Sequence, residues 1–324
     1  MSQHDRDSPI RQSYDLTKGL KRFTDWSVSD TESFRSTEKK YSLVTKMIAE
    51  FLGDFTFVFV GTMQAVVVTG SGNQSIVADN IVHAALAHGF TIFILVAALG
   101  HIRSTAYSQK DCSIPCTSPF VTLIARREYS SGGHFNPAVT WAVAAAGKMP
   151  IYHVPFYWFA QLLGGFCGSL YSVLIMTQKQ LDGSYAGATL LNPDNKWWEG
   201  MMSEAVVTYF LCHTILLTAA DTNTNILAPL AIGLTLSIDI LSTGSITGAS
   251  MNPARSLGPN IVGQIFLDSN SIPAHFWSYH YIYWAGPFMG ATVAVVLYKY
   301  VFITIIEREK IAFPSQGGGK LPLK

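Results

Sequence analysis

Charge is what this sequence has least of. Only 13% of its 324 residues are Asp, Glu, Lys or Arg, against about a quarter in soluble domains. The two signs nearly cancel, for a net charge of +1, so a basic surface for nucleic acid is not expected. Cysteine is scarce as well. The four are Cys112, Cys116, Cys167 and Cys212, and none has His or Cys partners at metal-site spacing. They are expected to be reduced and structural, with no metal and no cofactor. No nucleophile–base spacing is present either, so an enzyme is not expected.

Long apolar runs take the place of charge. Hydrophobic residues make up 49% of the chain and the mean hydropathy is +0.26. Runs near 46–68, 80–100, 153–176, 199–220, 226–242 and 279–303 each approach the roughly 20 residues that cross about 30 Å of hydrocarbon as a helix. Helices satisfy their own backbone polar groups in lipid. The spacing therefore predicts an all-α membrane protein with six transmembrane helices. A charged leader precedes the first run, so a cleaved signal peptide is not expected.

Polar segments set the orientation. Residues 1–45 read as a disordered cytoplasmic tail, with Lys39 and Lys40 close to the membrane. The loop at 69–79 has no Lys or Arg, so the N-terminus is expected in the cytoplasm. Six spans return the C-terminal tail, 306–324, to the same side. Asn73 starts an Asn-Gln-Ser sequon in the first outside loop, a candidate glycosylation site.

The chain repeats itself. Leu86-Ala87-His88-Gly89-Phe90 resembles Leu230-Ala231-Ile232-Gly233-Leu234. Tyr157-Trp158 matches Tyr283-Trp284, and Glu50 has a counterpart in Glu204. Three spans followed by three spans give halves of opposite orientation, the inverted-repeat plan whose site lies between the halves.

Asn-Pro-Ala occurs twice, at Asn136-Pro137-Ala138 and Asn252-Pro253-Ala254. Asn is a strong N-cap, and Pro fits the first helical position because its missing N–H costs nothing there. Each motif therefore starts a helix, expected to run to Gly147 and Gly263. About 12 residues rise roughly 18 Å and cross half a membrane. Such re-entrant segments survive only when buried in protein or lining a cavity. Inverted symmetry brings their N-termini together near the midplane. Two positive dipole ends and two Asn amides would then face a pore, break a proton wire and repel cations.

The segments GGHFNPAV, YWFAQLLGG, IDIL, MNPARSLGP and HYIYWAGP resemble the aquaporin, or major intrinsic protein, family over nearly all of 46–305. Within it they resemble the aquaporin-8 type of water and ammonia channel. The resemblance implies the aquaporin fold, with two re-entrant half-helices added to the six spans. It implies a homotetramer in the lipid bilayer that passes water and small neutral solutes; residence in the plasma membrane is expected. It also implies a selectivity filter of His88, Ile240, Ala249 and Arg255. Arg255 supplies fixed charge and N–H donors. His88 is a polar ring, Ile240 an apolar wall, and Ala249 a small residue that widens the ring. This set is similar to that of plant tonoplast channels and aquaporin 8, and implies passage of water, ammonia and hydrogen peroxide.

Glycerol facilitators usually carry Asp where this chain has Ser256, which counts against glycerol; a glycerol or small-solute facilitator stands as the alternative. Neither Ala249 nor Ser250 is Cys, so weak mercurial inhibition is expected. Glu50 and Glu204 are expected to accept N–H bonds from the re-entrant loops. Asp54, one turn from Glu50, departs from the family pattern, and its role is open. Gly164/Gly168 and Gly286/Gly290 are small-residue pairs that permit close helix packing.

One segment interrupts the pattern. The family runs Gly-His-Ile-Ser-Gly-Gly without a break, whereas here Arg103–Ser130 separates Gly100-His101-Ile102 from Ser131-Gly132-Gly133. Gly89 to Asn136 spans 47 residues and Gly233 to Asn252 spans 19, an excess of 28. A cytoplasmic regulatory loop and a retained intron both account for it, and the second would give a non-conducting splice variant. A secondary transporter is the rival functional class.

Overall fold

The chain divides into two units, Met1–Lys39 and Lys40–Lys324. A computed structural model describes residues 41–69, 77–102, 132–220 and 225–303 of the second unit. The sequon at Asn73, the segment 103–130 and the tails at 1–40 and 306–324 lie outside these residues.

Among the described residues the secondary structure is helical. In the first half, α1 (Leu43–Thr69) and α2 (Val77–Leu99) precede the short α3 (Pro137–Ala145), and α4 (Val154–Val173) follows. A six-residue helix, α5 (Gln178–Gly183), lies in the connection. In the second half, α6 (Trp197–Ile215) and α7 (Ala228–Thr247) precede the short α8 (Pro253–Phe266), and α9 (Ile282–Leu297) follows. The second half thus repeats the order long, long, short, long.

The distribution of polarity is that of a protein in lipid. Glu50, Asp54, Glu204, Asp239 and Arg255 are buried, while Ile94, Phe159 and Ile238 are each more than 60% exposed. Apolar side chains facing outward over the whole belt suit hydrocarbon rather than water. Four long helices are apolar enough to cross a membrane on composition alone: Ile81–Leu99, Trp197–Ala220, Ala228–Thr247 and Ile282–Ile303. The other two, α1 and α4, hold more polar groups in their buried faces, namely Lys46, Glu50 and Asp54 on α1 and Gln161, Ser169 and Ser172 on α4.

Packing follows the repeat. α1 lies along α4, α6 lies along α9, and α2 crosses α7. The first two seams are closed by the paired glycines. A Cβ on Gly168 would collide with the Phe55 carbonyl oxygen and stand 3.1 Å from the Phe59 nitrogen, and one on Gly290 would collide with the Ala205 carbonyl oxygen and stand 2.9 Å from the Tyr209 nitrogen. Backbone meets backbone at matching places in the two halves.

The short helices differ from the expected equal lengths. α3 stops at Ala145, and Gly147 follows in a left-handed conformation with φ 79°. α8 passes Gly263 and ends at Phe266. Gly263 serves packing instead of a stop, since a Cβ there would lie 2.8 Å from the Phe276 ring. α7 also runs past the expected 242 to Thr247. The hydroxyls of Ser242 and Thr243 bond back to the Asp239 carbonyl inside the helix, and Gly248, at φ 81°, ends it. The 9 residues of α3 and 14 of α8 rise roughly 13 and 21 Å. End to end they match the ~30 Å of hydrocarbon that neither crosses alone.

Candidate pore and its constrictions

The two Asn-Pro-Ala motifs meet. Asn136 Oδ1 accepts from the N–H of Ala138 at 2.8 Å, and Asn252 Oδ1 accepts from the N–H of Ala254 at 2.9 Å. Pro137 and Pro253 occupy the first turns. The amide nitrogens bond across the midline. Asn136 Nδ2 donates to the Met251 carbonyl at 2.9 Å, and Asn252 Nδ2 donates to the Phe135 carbonyl at 2.7 Å. Each asparagine therefore caps its own helix and grips the residue that precedes the other. Phe135 and Met251 sit at φ 48° and 55°, strain of about 1–3 kcal/mol each for a side-chain-bearing residue. That left-handed turn aims their carbonyls at the opposite asparagine.

Both loops are held from behind by a buried acid. Glu50 accepts from the N–H groups of Gly133, His134 and Phe135 at 3.1, 2.9 and 2.7 Å, and from Gln161 Nε2 at 2.8 Å. Glu204 accepts from the N–H groups of Ser250 and Met251 at 2.9 and 2.7 Å, and from the Thr247 hydroxyl at 2.6 Å. Neither acid lines either of the two cavities described below. An ionised carboxylate only accepts, which suits these donor sets.

One cavity adjoins the two asparagines, and a second is lined by residues of the expected filter. The inner one, about 60 Å³, is lined by Asn136, Asn252 and His134 among apolar side chains such as Phe57, Val139 and Leu236. A water needs roughly 10–15 Å³ of such space, so it has room for a short file of waters. Its apolar walls leave few competing partners. The outer cavity, about 540 Å³, is lined by His88, Ile240 and Arg255, with Gln64, Tyr185 and Gly187.

The expected filter residues are partly brought together. His88, Ile240 and Arg255 share the outer cavity. Ala249 is buried and does not line it, whereas its neighbour Gly248 does. Arg255, in the first turn of α8, donates from Nη1 to the Gly187 carbonyl at 2.9 Å. That carbonyl is presented by a tight turn in which Tyr185, Ala186 and Gly187 have φ of 50°, 56° and 75°. His88 Nδ1 lies 2.8 Å from the Ala84 carbonyl. This assigns the hydrogen to Nδ1 and leaves Nε2 an acceptor. The ring meets Phe57 edge-on at 5.4 Å and rests on Gly61, where a Cβ would come within 2.6 Å of Nε2.

Several residues of the site are given no pore role by the sequence. Gln161 donates both to Glu50 and to Thr140 Oγ1; its signal is a lone amide in an apolar span. Tyr283 donates to the Thr247 carbonyl at 2.8 Å. Ser256 is bonded to Ser250 and Thr189, each at 2.6 Å, and ties the second loop to the outer connection. Asp54 is buried with its Oδ1 3.5 Å from Asn252 Nδ2. Cys212 is buried, and neither it nor Cys167 lines either cavity. Cys112 and Cys116 lie outside the described residues.

Fold and site together define a membrane-embedded helical protein of two inverted halves, joined where two half-helices meet nose to nose. The chain belongs to the major intrinsic protein family, the aquaporins, which it matches over residues 37–107 and 109–298. It is 31% identical over 268 residues to Aquaporin TIP1-2 of Musa acuminata, covering 82% of this chain and 89% of that one. It is 31% identical over 286 residues to Aquaporin TIP2-1 of Arabidopsis thaliana, covering 86% and 97%. The aquaglyceroporin of Plasmodium falciparum has the same fold, with a TM-score of 0.60 at 22% identity, over 82% of this chain and all of that one. The two sequence relatives are plant TIP-type aquaporins, which corrects the narrower resemblance to the aquaporin-8 type.

Proposed function

We propose that this chain is a passive channel that passes water, and with it ammonia and hydrogen peroxide, while excluding protons and ions. The observation that carries this reading is the reciprocal bonding of Asn136 and Asn252. It sets two helix N-termini against each other beside the inner cavity. A water there turns its oxygen toward the amides and its hydrogens outward on both sides, which breaks a proton wire. The positive ends of the two helices oppose cations.

His88, Ile240 and Arg255 form the outer filter of this reading. Their mix of one acceptor, one apolar wall and one cation suits small neutral polar solutes. Ala249 completes it through its left-handed backbone, φ 46°, instead of its side chain. With the N-terminus in the cytoplasm, the Arg255 side faces outward. The TIP-type names of the relatives lend no support to the plasma membrane in particular. The neighbouring aquaglyceroporin keeps glycerol as the second reading, to be measured beside the others.

Stopped-flow swelling of proteoliposomes tests the proposal. Water flux should be linear in the osmotic gradient and indifferent to sodium and proton gradients. Flux that requires either gradient would make the protein a transporter. His88→Phe together with Ile240→His should keep water flux and reduce ammonia uptake; unchanged ammonia uptake would remove these residues from the filter.

A further inference from the structure

Asp54 is fully buried, one turn beyond Glu50 on α1. Its Oδ1 stands 3.5 Å from Asn252 Nδ2. Its Oδ2 has no hydrogen-bond partner among the described residues. It lines neither of the two cavities. A Cβ on Gly164 would lie 3.1 Å from the Asp54 Cβ; the side chain is therefore fixed in the α1–α4 seam.

Two observations bear on its charge. Glu50 next to it is saturated by four donors, the arrangement of a carboxylate. A second carboxylate one turn away would add like charge in a desolvated seam, with no cation acting on it among the described residues, and such a group neutralises. Leaving one O–H unpaired is cheaper than leaving one charge unpaired. The inverted half points the same way. Four residues beyond Glu204 stands Thr208, a neutral hydroxyl bonded to the Glu204 carbonyl.

The asparagine amides are also unequal. Each has two N–H groups. Asn136 gives one to Met251, and that is its amide's one protein acceptor among the described residues. Asn252 gives one to Phe135 and has the Asp54 oxygen within reach of the other.

We propose that Asp54 is a protonated, neutral acid whose oxygen takes the second N–H of Asn252, so that the two asparagines present unequal donors to the pore. Asn136 keeps an N–H for a passing water; Asn252 shares its own with Asp54. Asp54 is thus a positioning residue at the midplane. Its neutrality also preserves the barrier, because a carboxylate there would set negative charge beside two positive helix ends. The functional half of this inference rests on the channel reading; the protonation and the amide bond do not.

The full-length chain in proteoliposomes tests it. An infrared difference spectrum of wild type minus Asp54→Asn should contain the C=O stretch of one protonated carboxyl. No such band would overturn the proposal. The side-chain amide nitrogen of Asn252, followed by solid-state NMR, should keep its resonance in Asp54→Asn, which retains an acceptor. It should move in Asp54→Leu while that of Asn136 stays. An Asn252 resonance unmoved in Asp54→Leu would overturn the positioning role. Should Asp54→Leu fail to fold, Asp54→Val, close in shape to the threonine at the mirror position, serves for the same readout. Cation leak should be equal in wild type and Asp54→Asn; a lower leak in the variant would mean that a charge had been present. The spectroscopic readouts are independent of flux. A chain that conducts no water but gives the band and the shifted amide would sink the channel reading and leave Asp54 as described.

Discussion

At the scale of single residues, Glu50 and Glu204 carry the heaviest structural duty. Each hydrogen bond to a buried charge is worth about 1.5–3 kcal/mol, and the two acids together gather seven. Replacing either by Gln turns one acceptor oxygen into a donor that faces other donors. Glu50→Gln and Glu204→Gln should each lower stability by roughly 3–5 kcal/mol, the usual cost of breaking a buried charged network. Thermal unfolding in detergent, followed by tryptophan fluorescence, checks this; an unchanged midpoint for either variant would deny the acid its role. Gly61→Ala tests the filter from behind. The new Cβ displaces the His88 ring toward the outer cavity at an overpacking cost of about 1–3 kcal/mol, and water flux should fall in a folded protein. Adding His88→Ala to it should recover the melting temperature, because the clash disappears. The asparagine and glutamate pairs could be read from the sequence because each is repeated. Gln161, Thr140 and Gly187 could not. Gln161 meets Glu50, 111 residues away, and Thr140, 21 residues away, while Gly187 meets Arg255, 68 residues away; a single residue says nothing of what it will meet.

At the scale of elements, the helices were legible to the extent that apolar length alone defines them. Their ends were less so. Ser242 and Thr243 look like loop residues, yet in an apolar medium their hydroxyls turn back onto the helix carbonyl and prolong α7. Gly263 looks like a helix stop, yet it serves the close approach of Phe276. The paired-glycine seams make a prediction at this scale. Gly168→Ala and Gly290→Ala each drive a methyl group into the neighbouring backbone, and each should destabilise by about 1–3 kcal/mol. Similar losses are expected because the two seams are related by the repeat; a loss in one variant alone would break that equivalence. The start of α9 adds a pH dependence. Burial holds His280 down at about 4, below its ordinary 6.5, and its Nε2 accepts from Trp284 Nε1 at 3.4 Å. The folded protein therefore keeps His280 neutral while the unfolded chain takes up a proton first. The stability due to this group is complete above pH 6.5 and is lost as the pH falls toward 4. The melting temperature plotted against pH should rise between pH 4 and 6.5, and His280→Gln should flatten that rise.

At the scale of the whole molecule, the inverted repeat explains why so much can be inferred from one half about the other. Cap, grip, acid and seam each occur twice, with 9 residues in one half-helix and 14 in the other. The repeat also isolates what does not match. The 28 extra residues of the first half depart after Ile102 and return before Gly132. Those flanks are already together. A Cβ on Gly132 would touch the Ile102 carbonyl, and one on Gly133 would lie 3.1 Å from the Gly100 Cα. The Gly133 and His134 amides are bonded to Glu50 at ordinary lengths, so the loop beneath is not pulled out of place. Closing a longer loop adds little entropy cost once its ends are fixed, about 0.6 kcal/mol per doubling of length. Deleting 103–130 should therefore leave the fold intact, since Ile102 and Gly132 already stand side by side. Stopped-flow swelling of proteoliposomes containing the two forms decides what the segment does. Equal water flux from both would mean that it is carried without effect on conduction. Flux from the shortened form alone would mean that the full chain is held shut, and the reading of a regulatory loop or a retained intron would then turn on whether any condition opens it.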